Sequence, residues 1–209
     1  MIFEQIRTAG DRNFSYLIGD EESGEAALVD PGYLPEMLVG RVRSHHLRLK
    51  YVLNTHGHAD HTAENRAVMQ QTGALLAAFE RGDVPLGHGD VLALGRLAIE
   101  VLHTPGHTPE STCFLVEGKL LTGDTLFVGK VGGTANREAA VREYDSLHRV
   151  LGALPPQTEV WPGHDYGVRP SSTLGDEWRE NPFLLRENLE AFCELKENWT
   201  EYKRIHGIR

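Results

Sequence analysis

The sequence predicts a layered α/β domain. Short apolar runs with strand character recur from one end of the 209 residues to the other, and segments with apolar residues at helical spacing lie between them. A hydrophobic content of 40% in a chain of this length can also bury one substantial core. No repeat, low-complexity tract or linker interrupts the pattern, so residues 1–209 read as one domain.

In chain order, Phe14, Tyr16 and Ile18 alternate with polar or smaller neighbours, and residues 26–29 rise into the Asp30-Pro31-Gly32 turn, which predicts a β-hairpin. Residues 35–46 have helical spacing, residues 51–53 form a short strand ending in a polar loop, and a helix is expected between 61 and 71. Residues 97–102, 113–116 and 119–122 read as strands, with Glu117-Gly118 as a two-residue turn between the last two. Residues 138–151 put Ala140, Val141, Tyr144, Leu147, Val150 and Leu151 on one helical stripe, which Pro155-Pro156 stops before a strand at 158–161. From Asp176 the composition turns helical and charged around an apolar stripe of Phe183, Leu184, Leu189, Phe192 and Leu195. A short helical extension begins at about residue 181 and runs to Arg209. Its Trp199, Tyr202 and Ile205, three residues apart, are expected to pack on the domain or, in a homodimer, on a second subunit.

A net charge of −9 with no basic run argues against a nucleic-acid partner, because phosphate binding needs clustered Lys and Arg. A small molecule is the expected partner. No signal-peptide pattern opens the chain and no run of about eighteen apolar residues occurs, so neither export nor a membrane span is expected and a cytoplasmic location is the default. Cys113 and Cys193 read as reduced, buried thiols.

Chemistry concentrates in loops that follow apolar runs. Thr55-His56-Gly57-His58-Ala59-Asp60-His61 carries four potential metal ligands in six residues. Side chains two apart in an extended segment point the same way, so His56 and His58 can converge on one ion, while Asp60 and His61, at the turn into a helix, face a second. Later come His107, Asp124 and His164, each beside a glycine that lets the backbone turn sharply. Five neutral imidazoles and two carboxylates suit Zn, Fe, Mn or Co rather than Ca, and with Asp124 bridging they make two three-ligand sites. His45, His46, His88, His103, His148 and His206 have no partner at ligand spacing. Asp165 adjoins His164 and is expected to have an outer role if any.

The HxHxDH segment, the later PGH, the TGD and the final GH resemble the metallo-β-lactamase fold superfamily over nearly the whole chain. Through TGDTLFV, LPPQTEVWPGHDYG and SSTLGDEWRENPFL the chain is similar to its glyoxalase II (hydroxyacylglutathione hydrolase) and persulfide dioxygenase branch. The resemblance implies a four-layer αββα sandwich with metals at one edge, His56, His58 and His107 on one ion and Asp60, His61 and His164 on the other. Asp124 and Asp60 are then the candidate catalytic carboxylates. The implied activity is hydrolysis of a thioester of the hydroxyacylglutathione type by a hydroxide shared between two divalent ions, zinc first, with iron or manganese as alternatives. Persulfide dioxygenases instead imply a single Fe(II) on His56, His107 and Asp124. Residues 129–134, Gly-Lys-Val-Gly-Gly-Thr, depart from the Gly-Cys-Gly-Arg-Thr-Asp pattern of many dioxygenases and from the lysine-bearing glutathione loop of glyoxalase II. Both reactions, and the thiol carrier, therefore stay open. A non-catalytic metal-binding protein of this fold is a third possibility, against which the complete set of seven ligands speaks. Tyr166 matches a tyrosine that contacts the thiol substrate in related enzymes, and Lys130 and Arg137, beyond Asp124, are candidates for a substrate carboxylate.

Overall fold

The computed structural model describes residues 1–207, so Ile208 and Arg209, the end of the expected extension, lie outside the described residues. Strands β1 (Ile2–Arg7), β2 (Phe14–Asp20) and β3 (Glu25–Val29) form an antiparallel meander. Helix α1 (Pro35–Ser44) carries the chain back to β4 (Arg48–Asn54), parallel to β3. Helices α2 (Ala59–Thr62) and α3 (Asn65–Thr72) then lead to β5 (Leu75–Phe79), the two-residue β6 (Arg81–Gly82) and β7 (Val84–Leu86). The first sheet has the order β1-β2-β3-β4-β5-β7.

Strands β8 (Val91–Leu94), β9 (Leu97–His103), β10 (Thr112–Val116) and β11 (Lys119–Gly123) form a second antiparallel run. At its hairpin Glu117 and Gly118 both have positive φ, 46° and 76°, the left-handed pair that a two-residue turn requires. A small ribbon of β12 (Leu126–Phe127) and β13 (Lys130–Val131) precedes α4 (Arg137–Asp145). Strand β14 (Glu159–Pro162) returns parallel to β11, and β15 (Ser172–Thr173), α5 (Leu174–Glu180), α6 (Leu189–Glu197) and α7 (Trp199–His206) complete the described chain. The second sheet has the order β15-β14-β11-β10-β9-β8.

Three apolar clusters show how the layers stack. Alternate residues of both sheets, among them Tyr16, Ile18, Leu53, Ile99, Val101, Phe114 and Leu121, meet between the sheets. The opposite face of the first sheet, with Leu17, Leu28 and Val52, packs on Leu38, Val39, Val42 and Val68 of α1 and α3. The opposite face of the second, with Cys113, Leu120 and Val160, packs on Ala140, Leu147, Leu174, Phe192 and Leu195. This is the αββα sandwich, and both central sheets are covered on two faces, so their strands are apolar on both. No helix among the described residues is long and apolar enough to cross a membrane.

Four expectations are refined. The helix expected over 61–71 is two helices, broken where Glu64 N donates to Pro31 O at 3.0 Å. The helix over 138–151 widens into a π-turn at Ser146–Val150, where Ser146 Oγ bonds Pro105 O at 2.7 Å. Phe183 and Leu184 are buried, but in turns between α5 and α6 rather than on a helix. In the extension Trp199 and Tyr202 pack on the domain, whereas Ile205 is 63% exposed.

Parallel pairing of β3 with β4 and of β11 with β14 brings their carboxyl ends to one edge. The sheets are joined there by Phe14 N to Gly163 O at 2.8 Å and Thr112 N to Thr55 O at 2.8 Å. Because the inter-sheet layer fixes this edge, Phe114→Ala, at a position with 0% exposure, is expected to cost about 3–5 kcal/mol in urea denaturation. Val168→Ala, fully exposed, should change the midpoint negligibly.

Candidate metal centre

The seven sequence-predicted ligands come together at this edge. His58 is still extended, at φ −64° and ψ 146°, and Ala59 then opens the single turn of α2, which swings Asp60 and His61 away from His56 and His58. His107 follows β9, Asp124 follows Gly123 at the end of β11, and His164 follows Gly163 at the end of β14. A Cβ on Gly163 would lie 2.5 Å from Asp124 Oδ1 and 2.8 Å from His61 Cε1, so only glycine leaves room for the halves to meet.

His56, His58 and His107 form one group with ligand atoms within 4.8 Å of one another, and Asp60, His61 and His164 form a second. In the first, His58 Nδ1 lies 3.1 Å from His56 Nε2 and 3.0 Å from His107 Nε2. In the second, His61 Nε2 and His164 Nε2 are 3.2 Å apart, and Asp60 Oδ2 is 3.6 Å and 3.5 Å from them. Asp124 stands between the groups: Oδ1 is 3.4 Å from His61 Nε2, and Oδ2 is 3.5 Å from His107 Nε2 and 3.4 Å from His164 Nε2.

Outer partners aim the rings. His107 Nδ1 donates to Gly133 O at 2.7 Å, His164 Nδ1 to Asp11 O at 2.8 Å, and His61 Nδ1 to Asp30 Oδ2 at 2.9 Å. Thr55 Oγ1 donates to Asp30 Oδ2 at 2.6 Å and so accepts from His56 Nδ1 at 3.1 Å. A neutral imidazole whose Nδ1 holds the proton turns the lone pair of Nε2 inward, as in metal-bound histidines. Asn13 Nδ2 donates to Asp60 Oδ2 at 3.0 Å, holding the remaining carboxylate.

This donor set fits divalent metal. Imidazole nitrogens lie 3.0–3.2 Å from one another and 3.4–3.6 Å from the carboxylate oxygens, close to the separation of ligand atoms around an ion that binds each at about 2.1 Å. Asp124 Oδ1 is buried with no hydrogen-bond partner, an arrangement that a bound cation satisfies. Asp30 also lies close to His56 and His61, but its oxygens are engaged by Thr55 and His61, which makes it an outer orienting group.

Burial strips the proton from His56, whose pKa falls to about 2. Burial also opposes charge on His61, but the Asp30 carboxylate outweighs it and lifts the pKa to about 9. Burial would raise Asp124, yet the hydrogen bond from His164 and the charge of His61 hold it below the usual carboxylate range. The centre thus keeps its carboxylate ionised and draws positive charge toward it, and a divalent ion would take the place of the protons that His61 and His164 share with it.

His58 is exposed and Asp60 partly so, which leaves that side of the centre open. Tyr166 stacks on His164, with centroids 4.7 Å apart and planes at 2°, and donates its hydroxyl to Asp11 Oδ2 at 2.6 Å. Lys130 Nζ lies 3.7 Å from the Tyr166 ring centroid. Arg137 sits farther off, ion-paired with Glu190 and Glu197 on the rim of a groove of about 390 Å³ that Lys130, Gly133, Lys196 and Trp199 also line. Asp165 turns away to Arg7, 3.3 Å distant. The six histidines set aside from the sequence lie in none of the three metal-capable groups.

Sequence reasoning missed Asp30, Asn13 and Asp11. Asp30 carried a usable signal, since it ends an apolar strand just as His56 and Asp124 follow theirs. Asp11 had none, because it holds His164 through its main-chain oxygen.

Residues 9–83 match the family model described as the metallo-beta-lactamase superfamily. The hydroxyacylglutathione hydrolase of Anaeromyxobacter dehalogenans is 41% identical over 174 residues, covering 80% of this chain and 67% of that protein. The mitochondrial persulfide dioxygenase ETHE1 of Mus musculus is 32% identical over 197 residues, covering 88% and 76%. The crystal structure of ETHE1 from Myxococcus xanthus superposes with a TM-score of 0.88 at 37% identity, over 95% of this chain and 91% of that one. The chain therefore spans about two thirds of the hydrolase but nearly all of the Myxococcus protein. Fold, clustered ligands and relatives agree that this chain belongs to the metallo-beta-lactamase superfamily, in the branch that holds the hydroxyacylglutathione hydrolases and persulfide dioxygenases.

Proposed function

We propose that this chain is a metal-dependent hydrolase of small acyl thioesters of the hydroxyacylglutathione type, holding two divalent ions, zinc first. The observation that carries this reading is that two complete three-ligand groups flank a single carboxylate, Asp124. Divalent cations held there supply Lewis-acid polarisation of a carbonyl and bring the pKa of a coordinated water near neutrality. Asp124, reaching ligands of both groups, holds the two halves in register. Asp60, steadied by Asn13, completes the second. Substrate enters on the open side at His58 and Asp60.

Tyr166 and Lys130 are the proposed substrate contacts. The phenol ring, flat against His164, forms a wall beside the centre, and Lys130 caps it with a cation suited to a carboxylate on the thiol portion. Arg137 shares its charge with two glutamates and so offers such a carboxylate less than Lys130 does.

A second reading is persulfide oxygenation with one Fe(II) on His56, His107 and Asp124, a two-histidine, one-carboxylate set. It is favoured by the near-complete overlap with the Myxococcus structure.

Metal analysis of protein purified without chelator, with thioesterase and oxygen-uptake assays, separates the two. Two metals per chain with thioester hydrolysis support the first reading. One iron per chain and rapid oxygen uptake with glutathione persulfide, without hydrolysis, replace it by the second. Asp60→Ala should empty the second group and lower hydrolysis by about 100-fold or more, yet leave a one-iron oxygenase largely active. Asp124→Ala should abolish either activity, and a folded, metal-loaded, fully active Asp124→Ala protein would refute the site.

Asp30→Asn removes the charge that receives the His61 proton. Its expected effect is a loss of about 10–100-fold in zinc affinity, measured by competition with a chromophoric chelator. Unaltered affinity would reduce Asp30 to a packing role.

A further inference from the structure

The helical extension reaches the segment behind His107 through Lys196. Lys196, on α6, is 9% exposed, and its Nζ donates to Gly132 O at 2.6 Å and to the carboxylate of Glu143 on α4. Glu143 is fully buried, and its second oxygen, Oε1, has no hydrogen-bond partner.

One contact of Lys196, Gly132, adjoins the acceptor of His107, and the other, Glu143, packs on Gly106, the neighbour of His107. Gly133, next to Gly132, supplies the carbonyl that receives His107 Nδ1. Gly132 itself packs into the centre, because a Cβ there would lie 2.0 Å from Asp124 O and 3.2 Å from His107 Cβ. Gly106, next to His107, rests on Glu143 so closely that a Cβ would meet Glu143 Cβ at 2.3 Å. Ser146, three residues beyond Glu143, holds Pro105 O. The backbone on either side of the His107 ring is thus gripped by α4 and, through Lys196, by α6.

We propose that Lys196 is a positioning residue for the metal centre: paired with Glu143 and bonded to Gly132 O, it fixes the Gly132-Gly133 segment that sets the tautomer and direction of His107. The proposal rests on the ligand assignment made above and on neither of the two reactions. A buried pair loses stability when one partner is removed, since the other charge is left uncompensated. Fold stability and ring positioning must therefore be read separately.

Lys196→Met should destabilise the fold and weaken zinc binding together. Lys196→Met with Glu143→Gln removes both charges, so it should regain most of the wild-type melting temperature while still lacking the bond to Gly132 O. For this double variant zinc affinity, measured by chelator competition, is expected to stay about 10–100-fold below wild type. The absorption spectrum of the cobalt-substituted protein should also shift, reporting altered imidazole ligation. A folded double variant with wild-type zinc affinity and cobalt spectrum would overturn the proposal. His107→Ala serves as the reference: if it too binds zinc normally, the ligand assignment falls, whereas if it binds weakly while the double variant does not, only the role of Lys196 falls.

Discussion

The convergence of imidazole lone pairs on the buried Asp124 carboxylate is the constraint that the rest of the structure answers. Imidazole lone pairs and carboxylates directed at one another repel unless a proton or a metal cation lies between them, and they would relax apart in a flexible frame. The frame supplied is the edge of two sheets, each buried on both faces. The candidate ligands lie on the loops and the one helical turn that follow strand ends, and those strands cannot move without disrupting the apolar layers behind them.

Rigidity of the strands would be wasted if the rings could rotate. Each of four histidines has its outer nitrogen engaged by an acceptor, which leaves Nε2 facing inward: Gly133 O, Asp11 O, the Asp30 carboxylate and Thr55 Oγ1. Asp30 serves two rings, His61 directly and His56 through Thr55, so one carboxylate ties the two ligand groups together from behind. Two of the four acceptors are main-chain oxygens, whose positions follow from backbone path rather than from side-chain identity.

The segment after β11 lies between the candidate metal centre and the extension. Lys130 and Tyr166 border the centre, and the groove beyond them runs toward α6 and α7, so the segment after β11 is shared by the metal centre and the extension. The chain spans nearly all of one relative and about two thirds of another.

Much of the fold was legible because its signals are local. The hairpin around Glu117-Gly118, the strands beside it and the helix stripe from Ala140 follow from side-chain periodicity and turn chemistry, which act over a few residues. The segment 55–61 announced itself in the same way, since a two-residue period places His56 and His58 together and a helical turn redirects Asp60 and His61. The sequence by itself therefore determined the layered class and the seven candidate ligands. Only the tertiary structure decided which oxygens hold those rings, where the helix after His61 breaks, and how Ser146 and Phe183 depart from regular helix. Asp30 reaches Thr55 across 25 residues and Lys196 reaches Glu143 across 53. Such pairings depend on how distant segments are brought together by layer packing, and no periodicity in the chain encodes that proximity.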